Sequence, residues 1–317
     1  MSKENNTVPN TESSSLWGDA WVRLTKNKLA TVCMWIVIFI VLACFIGPFI
    51  YGVDPNAGEL SNKLQPPSWE NPLGTDQIGR DLLARILYGG QISLLVAFAA
   101  TLISVTIGIV YGAISGYVGG KVDSTMMRIV DGLLALPFLI IVILFREVIT
   151  GHIEVFGKYL IEERAWDRDF VLRYQNIIPL FIAIGASGWL TMSRIVRTQT
   201  ASLVKLEYVE AARSLGLSNM KILFKHVIPN TLGPIIIFTT LTIPSFILYE
   251  AALSFLGLGI EPPNSSWGKL IQEGANYIET SYTVLLFPAL VFSLTLFAFN
   301  FLGDGLRDAL DPKASKD

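Results

Sequence analysis

The sequence predicts an all-α polytopic membrane protein that crosses the lipid bilayer six times. The chain has 317 residues, of which 52% are hydrophobic and only 16% are charged, whereas soluble domains carry about 25% charged residues. The missing charge leaves long uncharged runs, and the mean hydropathy of the chain is +0.52. Backbone N–H and C=O groups cannot stay unpaired in lipid, so we expect each run to be a helix.

Five runs without Asp, Glu, Lys, Arg or His are each long enough to span, since a crossing takes about 20 residues. They are 29–53, 86–120, 174–193, 227–249 and 280–303. A sixth run, 132–145, is too short unless it extends back to residue 125, which would place Asp131 one turn inside the membrane. Together these runs predict one six-span domain over residues 29–303.

The positions of Lys and Arg predict the orientation of the chain. Fifteen of its 24 basic residues fall in segments on the same side as both termini. Because segments rich in Lys and Arg remain in the cytoplasm, we expect both termini there. Residues 1–28 then form a cytoplasmic tail, disordered over its Ser-, Thr- and Asn-rich first part, and residues 304–317 form a second tail. We see no cleavable signal peptide.

The residues that enzymes and coupled carriers need are missing from the sequence. The two histidines fall on opposite sides of the predicted membrane, and no Cys or His spacing fits a zinc site. A carrier driven by ions would bury several ionisable groups at mid-membrane, and only Glu250 and, marginally, Asp131 qualify. We therefore expect no enzyme, metal or nucleic-acid partner. A self-contained secondary transporter remains the less favoured alternative.

Small residues in the second span predict a close helix contact. Gly108, Gly112 and Gly116 are spaced four apart, which forms a ridge against which another helix can pack closely. The partner is either another helix of the same bundle, which we favour, or a helix of another subunit.

The cytoplasmic segment 201–230 predicts two short helices. Gly216 suits the left-handed residue after the first helix, and Ser218 can cap the second. Leu206, Val209, Ala212 and Leu215 recur every three residues and give the first helix a thin apolar face. Ala211 and Ala212 make that face flat enough for another protein to approach closely. A helix lying on the membrane surface is the alternative.

This segment resembles the EAA loop of ABC-importer permeases. The resemblance rests on Glu210, Ala211 and Ala212, followed by Gly216 and Pro229. It implies the type I ABC-importer permease fold, in which this loop forms a coupling helix that docks in a cleft of an ATP-hydrolysing subunit. His226 and Ile228 depart from the general pattern but fit its peptide-transporting branch.

Other motifs are similar to the peptide and nickel branch of that family, and residues 300–312 resemble the C subunits of oligopeptide permeases. The motifs are Leu-Gly-Thr-Asp at 73–76, Gly-Arg-Asp at 79–81, Gly-Tyr-Val-Gly-Gly-Lys-Val-Asp at 116–123, Leu-Ser-Phe-Leu-Gly-Leu-Gly at 253–259 and Ser-Trp-Gly at 266–268.

The resemblance also implies the partners and the location. We expect a bacterial cytoplasmic (inner) membrane complex that contains a homologous permease subunit as heterodimer partner, two ABC ATPase subunits inside and an extracytoplasmic peptide-binding protein outside. ATP would bind to the ATPase subunits, so this chain holds no cofactor. Oligopeptides are the expected substrate, with dipeptides, antimicrobial peptides and nickel as alternatives within the family.

Three outer features carry further expectations. Thr75 can cap an interfacial helix that runs through Tyr88, with Arg80, Asp81 and Arg85 on its polar side. Residues 146–175 form a solvated, partly helical outer loop, or contact the binding protein. Glu250 either lines the translocation pathway, where it would meet a peptide's amino terminus, or lies near the outer interface and reaches bulk water.

Overall fold

The computed structural model describes residues 16–310, and its regular elements are helices; the longest connection between two of the α-helices is residues 52–81. The predicted tail residues 1–15 and 311–317 lie outside the described residues. The helices are α1 (Leu16–Lys26), α2 (Lys28–Tyr51), α3 (Leu82–Val118), α4 (Gly120–Leu134), α5 (Phe138–Glu162), α6 (Arg168–Gln175), α7 (Ile178–Leu203), α8 (Glu207–Ser214), α9 (Asn219–Ile222), α10 (Ile228–Phe255), α11 (Trp267–Ala275) and α12 (Thr283–Leu310).

The all-α polytopic fold is confirmed. Among the described residues, five helical segments are long and apolar enough to cross a membrane. They are α2, α3, α6 with α7, α9 with α10, and α12. A sixth crossing results if α4 and α5, which meet at a bend of 94°, count as one broken span.

The predicted third span, 125–145, is wrong in its bounds. The helix breaks at Pro137, which lies just before α5, because a proline ring excludes the helical conformation of the preceding residue and donates no hydrogen bond. Asp131 therefore lies on α4 and not in a straight span. Its exposed carboxylate pairs with Arg194 of α7.

The predicted outer loop 146–175 is largely helical, since α5 continues to Glu162 and α6 follows.

The predicted interfacial helix from Thr75 to Tyr88 is also corrected. Thr75 caps no helix, because its hydroxyl accepts a hydrogen bond from the Gln65 N–H at 2.8 Å. Asp81 is the cap instead, and its carboxylate accepts from the Ala84 N–H at 2.7 Å. From there α3 runs unbroken for 37 residues. Arg85, expected on the polar side, is 97% buried in the folded chain, with only 3% of its surface exposed.

The glycine ridge packs α3 against α7 of the same chain, as favoured from the sequence. A Cβ atom on Gly112 would lie 2.4 Å from the Ser193 carbonyl oxygen, and one on Gly116 would lie 2.5 Å from the Arg197 carbonyl oxygen. Real Cβ atoms do not approach backbone that closely, so both positions require glycine for α3 and α7 to keep this separation.

Gly112→Ala is therefore expected to lower the amount of folded protein. The new methyl group must push α7 away, and overpacking of this kind costs about 1–3 kcal/mol. Size-exclusion profiles of detergent-solubilised protein at increasing temperature would measure the effect. Gly132→Ala is the matched control, because nothing lies within 4 Å of its added Cβ. Equal stability of the two variants would contradict this account of the packing.

The described chain ends lie at the same end of the bundle as α8. Gly305 of α12 packs against Ala30 of α2, and Gly116 near the end of α3 packs against the last turns of α7, which lead to α8. We call this the inner end, and the opposite end, where α3 begins, the outer end.

Candidate coupling site

Two side chains hold α8 against the inner end of the bundle. Val209 is fully buried and Ala212 is 5% exposed. Both belong to a cluster, named here the inner cluster, that also contains residues of α3, α7, α9 and α10. Its buried members are Ala113, Met192, Val196, Val209, Ala212, Ile222, Leu223, Val227 and Ile235. Motion of α8 is therefore mechanically linked to several spans at once.

The predicted apolar stripe of α8 is divided between two environments. Val209 and Ala212 face the inner cluster, whereas Leu206 is 46% exposed and Leu215 is 81% exposed. An exposed leucine at the end of a short helix leaves apolar surface that a further protein can cover.

The turn after α8 has the geometry predicted from Gly216. This glycine has φ +76°, its N–H donates to the Arg213 carbonyl at 3.0 Å, and the Leu217 N–H donates to the Ala212 carbonyl at 3.2 Å. These two bonds form a Schellman motif, which satisfies the last carbonyls of the helix. Ser218 caps α9 as predicted, with its hydroxyl accepting from the Lys221 N–H at 3.4 Å.

The structure divides the five residues proposed for coupling into two sets. Glu210, Ala211, Gly216 and Pro229 are exposed, and Ala212 is buried. Sequence spacing placed Ala212 in the apolar stripe of α8, but it did not reveal which part of that stripe the inner cluster covers. Glu210 and Ala211 therefore lie on the exposed side of α8, whereas Ala212 packs beneath them in the inner cluster.

Polar contacts that the sequence did not predict join the spans beside α8. Arg197 of α7 makes two hydrogen bonds to the Asp123 carboxylate of α4, one of them from Nε at 2.8 Å. The Ser115 hydroxyl of α3 donates to the same carboxylate at 2.7 Å. Tyr117 at the end of α3 donates to Asn219 Oδ1 of α9 at 3.0 Å. The bonds to Asp123 join α3, α4 and α7, and the Tyr117 bond joins α3 to α9.

A second cluster at the outer end joins the Leu-Gly-Thr-Asp motif to α11. Asp76 is fully buried and accepts from Arg85 Nη1 at 2.6 Å and from Arg80 Nε at 2.7 Å. Arg85 also contacts Glu273 of α11 at 2.9 Å. Burial by itself raises the pKa of the Asp76 carboxyl, but Arg85, the N–H groups of Arg80 and Ile78, and the Arg80 side chain outweigh it and lower that pKa.

Glu250 has no exposed surface. Its carboxylate accepts from the Ser254 hydroxyl at 2.7 Å and from the Ser93 hydroxyl of α3 at 3.0 Å. Ser93 in turn accepts from the Trp267 N–H of α11 at 3.2 Å. The alternative that Glu250 reaches bulk water is contradicted by this burial, and its role in the pathway stays a prediction.

Within residues 16–310, no group of three His, Cys, Asp or Glu side chains is placed to hold a metal ion.

Comparison with known proteins places the chain in a family. Residues 108–316 match the family described as binding-protein-dependent transport system inner membrane component. Residues 15–67 match the N-terminal transmembrane domain of oligopeptide transport permease C. The first match covers more than half of the chain.

Curated relatives match along nearly the whole chain. The oligopeptide transport system permease protein OppC of Haemophilus influenzae is 46% identical over 95% of this chain and 90% of its own length. OppC of Escherichia coli K12 is 44% identical over 95% and 93%. The dipeptide transport system permease protein DppC of Bacillus subtilis is 41% identical over 95% and 87%.

A solved structure of the MetNI methionine ABC transporter, in an inward-facing conformation, shares the fold. Its matching chain superposes with a TM-score of 0.50 and 21% identity, covering 73% of this chain and 96% of that one. At this identity the likeness concerns the fold alone, which is that of an ABC-importer permease. The chain therefore belongs to the inner membrane components of binding-protein-dependent transport systems, in the branch of the peptide permeases of ABC importers.

Proposed function

We propose that this chain is one of two permease subunits of an ABC importer that moves oligopeptides across the cytoplasmic membrane. The oligopeptide permeases of two organisms among its relatives, at 44% and 46% identity, support this substrate. Dipeptides are the second candidate, because a dipeptide permease is 41% identical over a similar length. Neither substrate requires chemistry from the permease itself.

The energy enters through two ATPase subunits that bind ATP, and this chain binds no cofactor. The proposal rests on how α8 packs against the bundle. Ala211 is exposed on one side of the helix, whereas Val209 and Ala212 pack into the inner cluster on the other side. A force applied to α8 reaches α3, α7 and α10 through those contacts. Closure of the ATPases on ATP would thus reorient the spans around the peptide.

The remaining partners follow from the same assignment. A homologous permease completes a heterodimer around the pathway, and an extracytoplasmic peptide-binding protein delivers substrate to the outer end. We expect both termini in the cytoplasm, and the described chain ends, which share the inner end with α8, support this orientation. Residues 146–175, now seen as the end of α5 with α6, are a candidate contact for the binding protein.

Reconstitution in liposomes tests the proposed function. Vesicles that hold both permeases and both ATPases, with the binding protein on the outer side, are expected to take up labelled oligopeptides only when ATP is inside. Omitting the ATPases removes uptake even with an imposed proton or sodium gradient. Gradient-driven uptake by the permeases alone would identify a secondary transporter, and uptake of nickel instead of peptides would overturn the substrate.

Gly216→Pro is expected to abolish uptake without preventing insertion. Proline fixes φ near −65°, whereas this position has φ +76°, so the turn after α8 cannot form and α8 loses its orientation. Gly216→Asn is the matched control, because asparagine tolerates the left-handed region. ATP-dependent uptake per inserted transporter measures both. Equal loss in both variants would show that the turn geometry is not the cause.

Glu250→Gln is expected to lower the uptake of neutral and cationic peptides alike. The carboxylate is fully buried and accepts hydrogen bonds from two serines, and an amide can accept those bonds only through its one oxygen. Competition assays with peptides of equal length and different charge would measure the effect. A loss confined to cationic peptides would instead place Glu250 in the pathway.

A further inference from the structure

A groove at the outer end lies between α3 and the α6–α7 segment. Its volume is about 300 Å³. On α3 it follows one helical face from Tyr88 to Ala99, a length of roughly 16 Å at 1.5 Å per residue. That length is about half of a bilayer's hydrocarbon core, and it therefore matches the depth of a single leaflet.

The two ends of the groove differ in chemistry. Polar side chains gather at the mouth, which is the end nearer the start of α3. They are Tyr88, Gln91, Arg173 and Tyr174. Below the mouth the lining is entirely apolar, and consists of Ile92, Leu95, Val96, Ala99, Ile177 and Phe181. A ligand that fits must therefore be polar at one end and apolar along the rest.

The charge at the mouth favours an anion. No carboxylate among residues 16–310 forms an ion pair with the exposed Arg173 side chain. The mouth is also held in place: the Tyr88 hydroxyl donates to Asn264 Oδ1 at 3.0 Å, and Asn264 Nδ2 donates to the Arg173 carbonyl at 2.7 Å. Asn264 itself is 2% exposed, so a buried amide fixes both sides of the mouth relative to each other.

We propose that this groove binds a phospholipid of the outer leaflet. Its phosphate contacts the Arg173 guanidinium and the Tyr174 hydroxyl at the mouth, and one acyl chain lies along the apolar part. An unpaired guanidinium at the depth of the headgroups suits a phosphate, to which it can donate two hydrogen bonds. Leu95 is 49% exposed, so the groove opens sideways, which lets a lipid enter from the bilayer.

A peptide fits this groove less well than a lipid. Each peptide unit carries an N–H and a C=O group, and burying either without a partner costs roughly 2–7 kcal/mol. The apolar part of the groove offers side chains that make no hydrogen bonds, whereas an acyl chain needs none. The chemistry of the groove therefore favours a lipid over a transported peptide, and the proposal does not rest on the proposed substrate.

Photo-crosslinking in the complete transporter tests the proposal. A benzophenone amino acid replaces Leu95, the complex is irradiated in cell membranes, and this chain is analysed by mass spectrometry. The expected product is the chain with one phospholipid attached. Crosslinks to another subunit, to a transported peptide or to no molecule at all would each overturn the assignment.

A pair of arginine variants tests the role of the mouth. Arg173→Gln in the same crosslinking protein is expected to lower the lipid adduct about fivefold, the effect of removing one cation beside lipid headgroups. Arg168→Gln is the matched control, because Arg168 lies exposed on the same helix, α6, but does not line the groove. It should leave the adduct unchanged. Equal adduct in both variants would contradict a phosphate at Arg173.

Discussion

Ala212→Asp is expected to abolish peptide uptake while the chain still inserts into the membrane. Ala212 is 5% exposed and packs in the inner cluster with Val209 and Ile222. A carboxylate there has no hydrogen-bond donor among the apolar side chains of the cluster, and burying an unsatisfied polar group costs roughly 2–7 kcal/mol. α8 therefore separates from the bundle, and movement of the ATPases no longer reaches the spans.

ATP hydrolysis and uptake, measured together in reconstituted vesicles, would distinguish the causes of that loss. Uptake should disappear, and the binding protein should no longer stimulate ATP hydrolysis. Ala212→Ser is the conservative control, because its hydroxyl can donate to a carbonyl of the preceding helical turn. It should retain most activity. Normal uptake by Ala212→Asp would mean that the inner cluster does not transmit the movement of α8.

Arg85→Met is expected to lower the thermal stability of the folded transporter strongly. Arg85 is 3% exposed and bonds both Asp76 and Glu273, so its removal leaves the buried Asp76 carboxylate with one fewer cation. Breaking a buried ion pair from one side costs about 3–5 kcal/mol. The outer segment 76–85 should then separate from α11. Thermal unfolding of the detergent-solubilised complex would measure the loss.

Arg164→Met provides the comparison for that prediction. Arg164 is an outer arginine on the exposed surface, where it lies over the Tyr159 ring at 5.8 Å from its centroid, and contacts of that kind contribute about 0.5–1 kcal/mol. Its replacement should leave the unfolding temperature nearly unchanged.

Because the pKa of Asp76 is lowered in the folded chain, the stability from this carboxylate is present at neutral pH and is lost as the pH falls through that lowered value. Similar unfolding temperatures for Arg85→Met and the unmodified transporter would contradict the assigned role of the cluster.

Local signals explain which parts of the fold the sequence predicts well. Uncharged runs mark the spans because lipid excludes charge, and Gly216 and Ser218 mark the ends of α8 and α9 because each acts within its own turn. The break at Pro137 was visible as a proline, but proline occurs inside α2, α10 and α12 as well. The residue type alone therefore did not predict a bend of 94°.

Long-range contacts explain what the sequence could not predict. Arg85 and Glu273 lie 188 residues apart, and nothing near either residue indicates the other. Glu250 likewise accepts hydrogen bonds from Ser93 of α3 and Ser254 of α10, so its environment depends on how those two helices pack. The inward direction of Ala212 and the outward direction of Ala211 depend on the inner cluster, which assembles from four helices beyond α8.

The claim that α8 receives force from a separate ATPase is tested most directly by cross-linking at Ala211. The native cysteines Cys33 and Cys44 are buried, so Ala211→Cys adds an exposed thiol at a position where a bound ATPase would lie. In inside-out membrane vesicles holding the complete transporter, a short thiol-to-amine cross-linker is expected to join this chain to an ATPase subunit. Absence of that product, or labelling of the thiol only from the extracytoplasmic side, would contradict the account.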